Sequence, residues 1–142
     1  MSTISSTPLS KKLGIQSGQR ICLLEAPEDA LGILEPTLPE NVDILGGTAE
    51  TRLDMILFWP QTLHGLAERF AELQLEIVPD GAIWAMIPKK KFARKRGIDF
   101  SWEAMQAAGL ETDLVDNKVA SFSEQDYGTR FVIRKNLRDK YR

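Results

Sequence analysis

The stretch that decides the fold is "LDMILFWP", Leu53 to Pro60. Apart from Asp54 it is apolar throughout, and it stops at a proline. A strand with one wet face alternates apolar and polar residues. A near-continuous apolar run is expected where helices cover both faces of a parallel sheet. Leu53 to Pro60 therefore reads as a buried strand of an α/β protein.

Working outward, "RICLLE", Arg20 to Glu25, is a second buried strand, bounded by Gly18 and Pro27. "NVDILGG", Asn41 to Gly47, is a strand ended by glycines, and "AIWAMIP", Ala82 to Pro88, is another. "ETDLVDNKVASFS" (111–123) and "TRFVIRK" (129–135) read as a hairpin joined by the polar turn Glu124 to Gly128. Helices fall between. "PEDALGILEP" (27–36) has Pro27 suited to the first helical position, with Glu28 and Asp29 at the positive end of the dipole. "QTLHGLAERFAELQLE" (61–76) puts Leu63, Leu66, Ala67, Phe70 and Leu73 on one face. "SWEAMQAAG" (101–109) has Ser101 as a start cap and Gly109 as an end cap. In "VPDGAIW", Pro79 and Asp80 fit a turn that asks for positive φ at Gly81.

Strand and helix alternate and a hairpin closes the chain. This predicts a Rossmann-like α/β/α sandwich, a mostly parallel sheet with a C-terminal antiparallel hairpin, in the strand order 2-1-3-4-6-5. The 142 residues suit one domain, with 43% hydrophobic and 27% charged residues. Residues 1–8 read as a disordered lead-in, 9–135 as the domain and 136–142 as a charged, fraying tail. No apolar run reaches membrane-spanning length, and the N-terminus lacks the apolar core of a secretory signal. The single cysteine, Cys22, lies inside an apolar run, which fits a core position and a cytoplasmic home.

The pattern resembles the class I methyltransferases that use S-adenosylmethionine. "SGQRICLLEAPED" is similar to their first strand and turn, "LDMILFWP" to their fourth strand, and "LQLEIVPDGAIWAMI" to the approach to their fifth. "AAGLETDLV" and "TRFVIRK" resemble their last two strands. The set, with "WAMIPKK" and "YGTRFV", looks closest to a small bacterial domain family of unknown function with a degenerate methyltransferase-like core. Three departures stand out. The first turn, "EAPED", has Ala26, Pro27, Glu28 and Asp29 in place of glycines. The second strand ends in Gly46 and Gly47 instead of an acid for ribose hydroxyls. One strand-helix unit is missing before Leu53. These departures predict a retained fold and no retained cofactor.

No catalytic or metal-ligating constellation occurs. His64 is the only histidine and reads as an exposed helix residue. Trp84, inside the fourth strand, is expected to be packed. Glu25, Trp59, Gln61 and Lys89 lie at strand ends on the edge where α/β sheets take ligands, and define a candidate crevice. Trp59 could equally seal it, with Glu25 paired to Lys89.

Charge is segregated. Residues 25–80 hold twelve acids against Arg52 and Arg69, whereas residues 81–142 hold thirteen bases against eight acids. Six of the eight residues from Lys89 to Arg96 are basic: Lys89, Lys90, Lys91, Arg94, Lys95 and Arg96. The run is either a solvated face or a contact for an anionic partner, whether nucleic acid, a phosphorylated ligand or an acidic protein surface. The opposite charges of the two halves also permit internal pairing or self-association. The residues thus favour a non-catalytic binding or regulatory protein. The alternative is a divergent S-adenosylmethionine-dependent methyltransferase.

Overall fold

The computed structural model describes residues 7–46 and 51–142. Its six strands form one sheet: β1 (Arg20–Leu24), β2 (Asp43–Leu45), β3 (Leu53–Phe58), β4 (Ile77–Pro88), β5 (Leu114–Ser121) and β6 (Asp126–Ile133). The helices are α1 (Leu9–Leu13), α2 (Ala30–Leu34), α3 (Leu66–Leu73), α4 (Lys90–Ala93) and α5 (Trp102–Leu110). The strand order is β2-β1-β3-β4-β6-β5, as the sequence predicts. β1, β2, β3 and β4 run parallel, and β6 is antiparallel to both β4 and β5.

β3 sits between β1 and β4 and is covered on both faces, which explains its near-continuous apolar sequence. Ile56 and Phe58 join one core, with Phe70, Leu73, Met105 and Phe131 of α3, α5 and β6. Met55, Leu57 and Trp59 join the other, with Leu13, Ala30, Leu34, Trp84 and Met86. Phe70 anchors the first core, edge-on to Phe58 at 5.9 Å and tilted against Phe131 at 5.0 Å. Truncating so buried an aromatic ring costs about 3–5 kcal/mol. The polar exception, Asp54, accepts the Arg20 amide at 2.9 Å and so braces β1 against β3. Between Leu45 and Leu53 the chain is too short for a further strand-helix unit, in line with the missing unit.

Several local expectations are corrected. Gly81 is not in a positive-φ turn. It lies within β4, at an irregularity where Leu53 faces Ile77 and Met55 already faces Ala82. A Cβ there would sit 2.9 Å from the Asp54 carbonyl oxygen, so close backbone approach selects glycine. Gly109 does not cap α5. It lies inside the helix, where a Cβ would run into the Phe131 ring, and Glu111 takes the cap position. Ser101 is the start cap, its hydroxyl accepting the Ala104 amide at 3.1 Å. α2 begins after Asp29, so Pro27 precedes the helix. α3 begins at Leu66, which leaves Leu63 42% exposed and outside the buried face.

The C-terminal tail is better ordered than its composition suggests. Leu9–Leu13 is helical, and Leu13 is buried. The lead-in residues 1–6 and Gly47 lie outside the described residues. The tail forms a 3-10 helix, Lys135–Tyr141, instead of fraying. Tyr141 is buried in the first core, and its hydroxyl donates to Asp113 at 2.5 Å. Cys22 is fully buried, and burial, with a smaller push from Glu76, raises its thiol pKa. No helix among the described residues is long and apolar enough to cross a membrane.

Candidate functional site

β1, β3 and β4 end on the same edge, where the chain leaves β1 in one direction and β3 in the other. The turn after β1 starts with Glu25 at φ 55, a left-handed conformation that disfavours most side chains, glutamate among them. Such conformations concentrate at ligand sites and switch points. Trp59 continues β3 by donating its amide to the Leu24 carbonyl at 3.0 Å. Its own carbonyl accepts the Gln61 side-chain amide at 2.9 Å.

The structure divides the four crevice residues. Glu25 and Gln61 share a cavity of about 210 Å³ on the α3 side, together with Phe58, His64 and Arg69. His64 is exposed, in the loop before α3 and not within the helix. Trp59 turns to the opposite face and is 1% exposed. Lys89 lines neither neighbouring cavity. Its Nζ donates to the Ser123 carbonyl at 3.2 Å, and among the described residues it makes no ion pair with Glu25.

Trp59 belongs to a network that the sequence did not disclose. Its indole Nε1 donates to Asp126 Oδ2 at 3.1 Å, and its ring meets Phe122 edge-on at 5.2 Å. Arg96 donates to the other oxygen, Asp126 Oδ1. The Asp126 amide in turn donates to the Ser123 hydroxyl at 3.1 Å. The carboxylate is buried, and both of its oxygens are occupied. In front of it opens a cavity of about 430 Å³, lined by Asp29, Ile33, Arg96 and Phe122 among others. Asp126 opens β6 from within the stretch that reads as a polar turn, and neither Trp59 nor Arg96 is near it in sequence, so no local signal could have flagged it.

The basic run splits as well. Lys89 caps α4: its amide donates to the Gln125 carbonyl at 2.7 Å, and its own carbonyl accepts from Phe92. Arg96 is committed to Asp126. Lys90, Lys91, Arg94 and Lys95 are exposed and make no ion pair among the described residues. Lys91 lies over its neighbour Phe92, 5.1 Å from the ring centre. The ion pairs described join Arg69 to Glu72, Arg96 to Asp126, Lys140 to Asp113 and Arg142 to Asp139. None of them links the acidic segment 25–80 to the basic segment 81–142. No group of three or more His, Cys, Asp or Glu among the described residues is placed to hold a metal ion.

The sheet order, with its reversed β6, and the helices on both faces define the class I methyltransferase-like variant of the Rossmann fold. The solved structures it resembles are of that class. A SAM-dependent methyltransferase from Aquifex aeolicus matches with a TM-score of 0.57 at 12% identity, over 87% of each chain. The N-methyltransferase NodS from Bradyrhizobium japonicum matches with a TM-score of 0.55 at 10% identity, over 89% of this chain and 91% of that one. At such identities the likeness is one of fold. No family model matches the sequence, and no curated protein matches it.

Proposed function

We propose that this chain is a divergent S-adenosylmethionine-dependent methyltransferase with its ligand site at the carboxyl ends of β1 and β3. The observation that carries the reading is the left-handed Glu25 opening onto the cavity it shares with Arg69. A carboxylate and a guanidinium on one cavity complement the ammonium and carboxylate of an amino-acid end group. They thus fit that end of the cofactor. The cofactor would supply an electrophilic methyl group on a sulfonium. Glu25 would hold its cationic end and Arg69 its carboxylate. Phe58, under the Arg69 guanidinium at 5.9 Å, keeps that charge over an apolar surface.

Pro27, which has no amide to donate, and Asp29 remain departures from a glycine-rich turn, so the reading rests on side chains instead of turn amides. Membership of the bacterial domain family that the sequence resembles, and a cytoplasmic location, belong to the same proposal. Titration calorimetry with millimolar S-adenosylmethionine tests it. One-to-one saturable heat, lost in Glu25→Gly and Arg69→Ala, supports the reading. Glu25→Gly also relieves the left-handed strain and should be no less stable than the parent. No heat with the parent protein overturns the cofactor reading.

A second reading, a non-catalytic binding protein that contacts an anionic partner through residues 89–96, is favoured by one observation. Lys90, Lys91, Arg94 and Lys95 project without acidic partners among the described residues. Salt-sensitive retention of the protein on heparin, lost when these four become Ser, tests that reading.

A further inference from the structure

Between α4 and α5 runs a groove of about 390 Å³ over the end of β4. Phe100, Trp102 and Tyr127 line it, all of them part-exposed, whereas Trp59, Trp84, Phe58, Phe70 and Phe131 are fully buried. Trp102 is held in place by its Nε1, which donates to the Thr129 hydroxyl at 2.6 Å. The indole is therefore a fixed apolar plate whose polar atom is already satisfied. Val119 stands at the rim, 53% exposed, in the exposed stretch 117–119 of β5. Lys90 also lines the groove, at the head of the unpaired bases of α4 and the turn after it. Glu103 is the one acid among the lining residues.

We propose that this groove is a base-stacking site for single-stranded nucleic acid, whose phosphates run along Lys90, Lys91, Arg94 and Lys95. Aromatic plates beside a track of unpaired bases are the two components of single-strand binding: ring stacking that tolerates sequence, and a cationic path for the backbone. Glu103 can accept only, which suits the exocyclic amino group of adenine, cytosine or guanine. A duplex keeps its base faces stacked on one another and cannot offer a ring to the groove. An acidic peptide would satisfy the bases of α4 and leave the aromatic plates without a ring to stack on. The proposal rests on the second reading above and adds the groove to it.

The experiment is tryptophan fluorescence of the full chain, titrated at low salt with a short single-stranded oligonucleotide, its duplex and a mononucleotide. Trp59 and Trp84 are buried, so quenching reports on Trp102. Val119→Asp places a negative charge in the groove from an exposed position and should leave the thermal midpoint unchanged. The expected result is saturable quenching by the single strand, weaker binding of the duplex, and about a tenfold or greater loss of affinity in Val119→Asp, in the range of one stacked base. The variant with Lys90, Lys91, Arg94 and Lys95 changed to Ser should lower the slope of affinity against salt. Equal quenching by the mononucleotide would support the base pocket and make its source a free nucleotide. If Val119→Asp binds the oligonucleotide as the parent does, or the duplex binds as tightly as the single strand, the groove assignment fails. A loss confined to the four-Ser variant would then leave the basic-surface reading standing. If the parent binds no polyanion at low salt, both fail.

Discussion

The indole of Trp59 and the carboxylate of Asp126 meet at 3.1 Å across 67 residues of sequence, and Arg96 closes the carboxylate from its other side. This contact ties the end of β3 to the start of β6 and to the loop after α4. Asp126→Ala would leave a buried indole N–H and a part-buried guanidinium unpaired. Breaking one partner out of a buried charged network costs about 3–5 kcal/mol. Because Arg96 keeps some contact with water, the lower end of that range is expected, read as a fall in the urea midpoint. Trp59→Phe removes one donor and should cost about 1–3 kcal/mol. An unchanged midpoint in both variants would remove the network from any account of stability.

The basic run should behave as two groups. The variant with Lys90, Lys91, Arg94 and Lys95 all changed to Ser keeps its thermal midpoint to within a few degrees, because exposed charges of this kind contribute about 0–1 kcal/mol each at most. Arg96→Ser lowers the midpoint clearly, because it strands Asp126. Thermal melts by circular dichroism separate the two. If the four-residue variant unfolds and Arg96→Ser does not, the division is wrong.

Gly81→Val should destabilise by about 1–3 kcal/mol through overpacking against the Asp54 carbonyl. Asn tolerates left-handed backbone, so Gly81→Asn would be mild if positive φ were the constraint. With close approach as the constraint, Asn is about as costly as Val. Denaturant midpoints of the two variants decide between these causes.

Stability at the pH extremes should depend on the C-terminal turn. Burial, and then the hydrogen bond to Asp113, push the Tyr141 hydroxyl up to about 12. A raised folded value stabilises fully below the unfolded value of about 10 and is lost as pH climbs towards 12. Hydrogen bonds from Lys140 and Tyr141 hold Asp113 below the usual carboxylate range. That contribution is present above the unfolded value of about 4 and fades as pH falls below it. Tyr141→Phe should cost about 1–2 kcal/mol at neutral pH, flatten the alkaline limb and weaken the acid one. Unfolding midpoints against pH measure all three effects, and an unaltered alkaline limb would contradict the assignment.

The sheet was legible because its signal is local and periodic. The near-continuous apolar run of β3 and the shorter run of β1 mark buried strands directly, the hairpin sequences mark a strand pair, and crossover handedness leaves few ways to arrange them. Ser101 was legible for the same reason, since a cap acts within one helical turn. Gly81 and Gly109 stand out in the sequence, but the cause that local sequence suggests for each is not the one that acts. What excludes a side chain there is the Asp54 carbonyl in one case and the Phe131 ring in the other, and both are distant in sequence. The tail reads as fraying because its polar composition hides a single anchor, Tyr141, whose burial depends on partners elsewhere.

The layered α/β architecture, the strand order and the absence of a glycine-rich first turn all follow from residue type within short windows of the chain. What the residues at the strand ends do depends on how the fold brings them together. It turned Trp59 away from Glu25 and committed Arg96 to Asp126. It also placed Lys90 in one groove with Phe100, Trp102 and Tyr127. Hydrogen bonds and ion pairs form between whichever groups the fold brings within about 3 Å, and the one-dimensional spacing of residues carries no record of that distance.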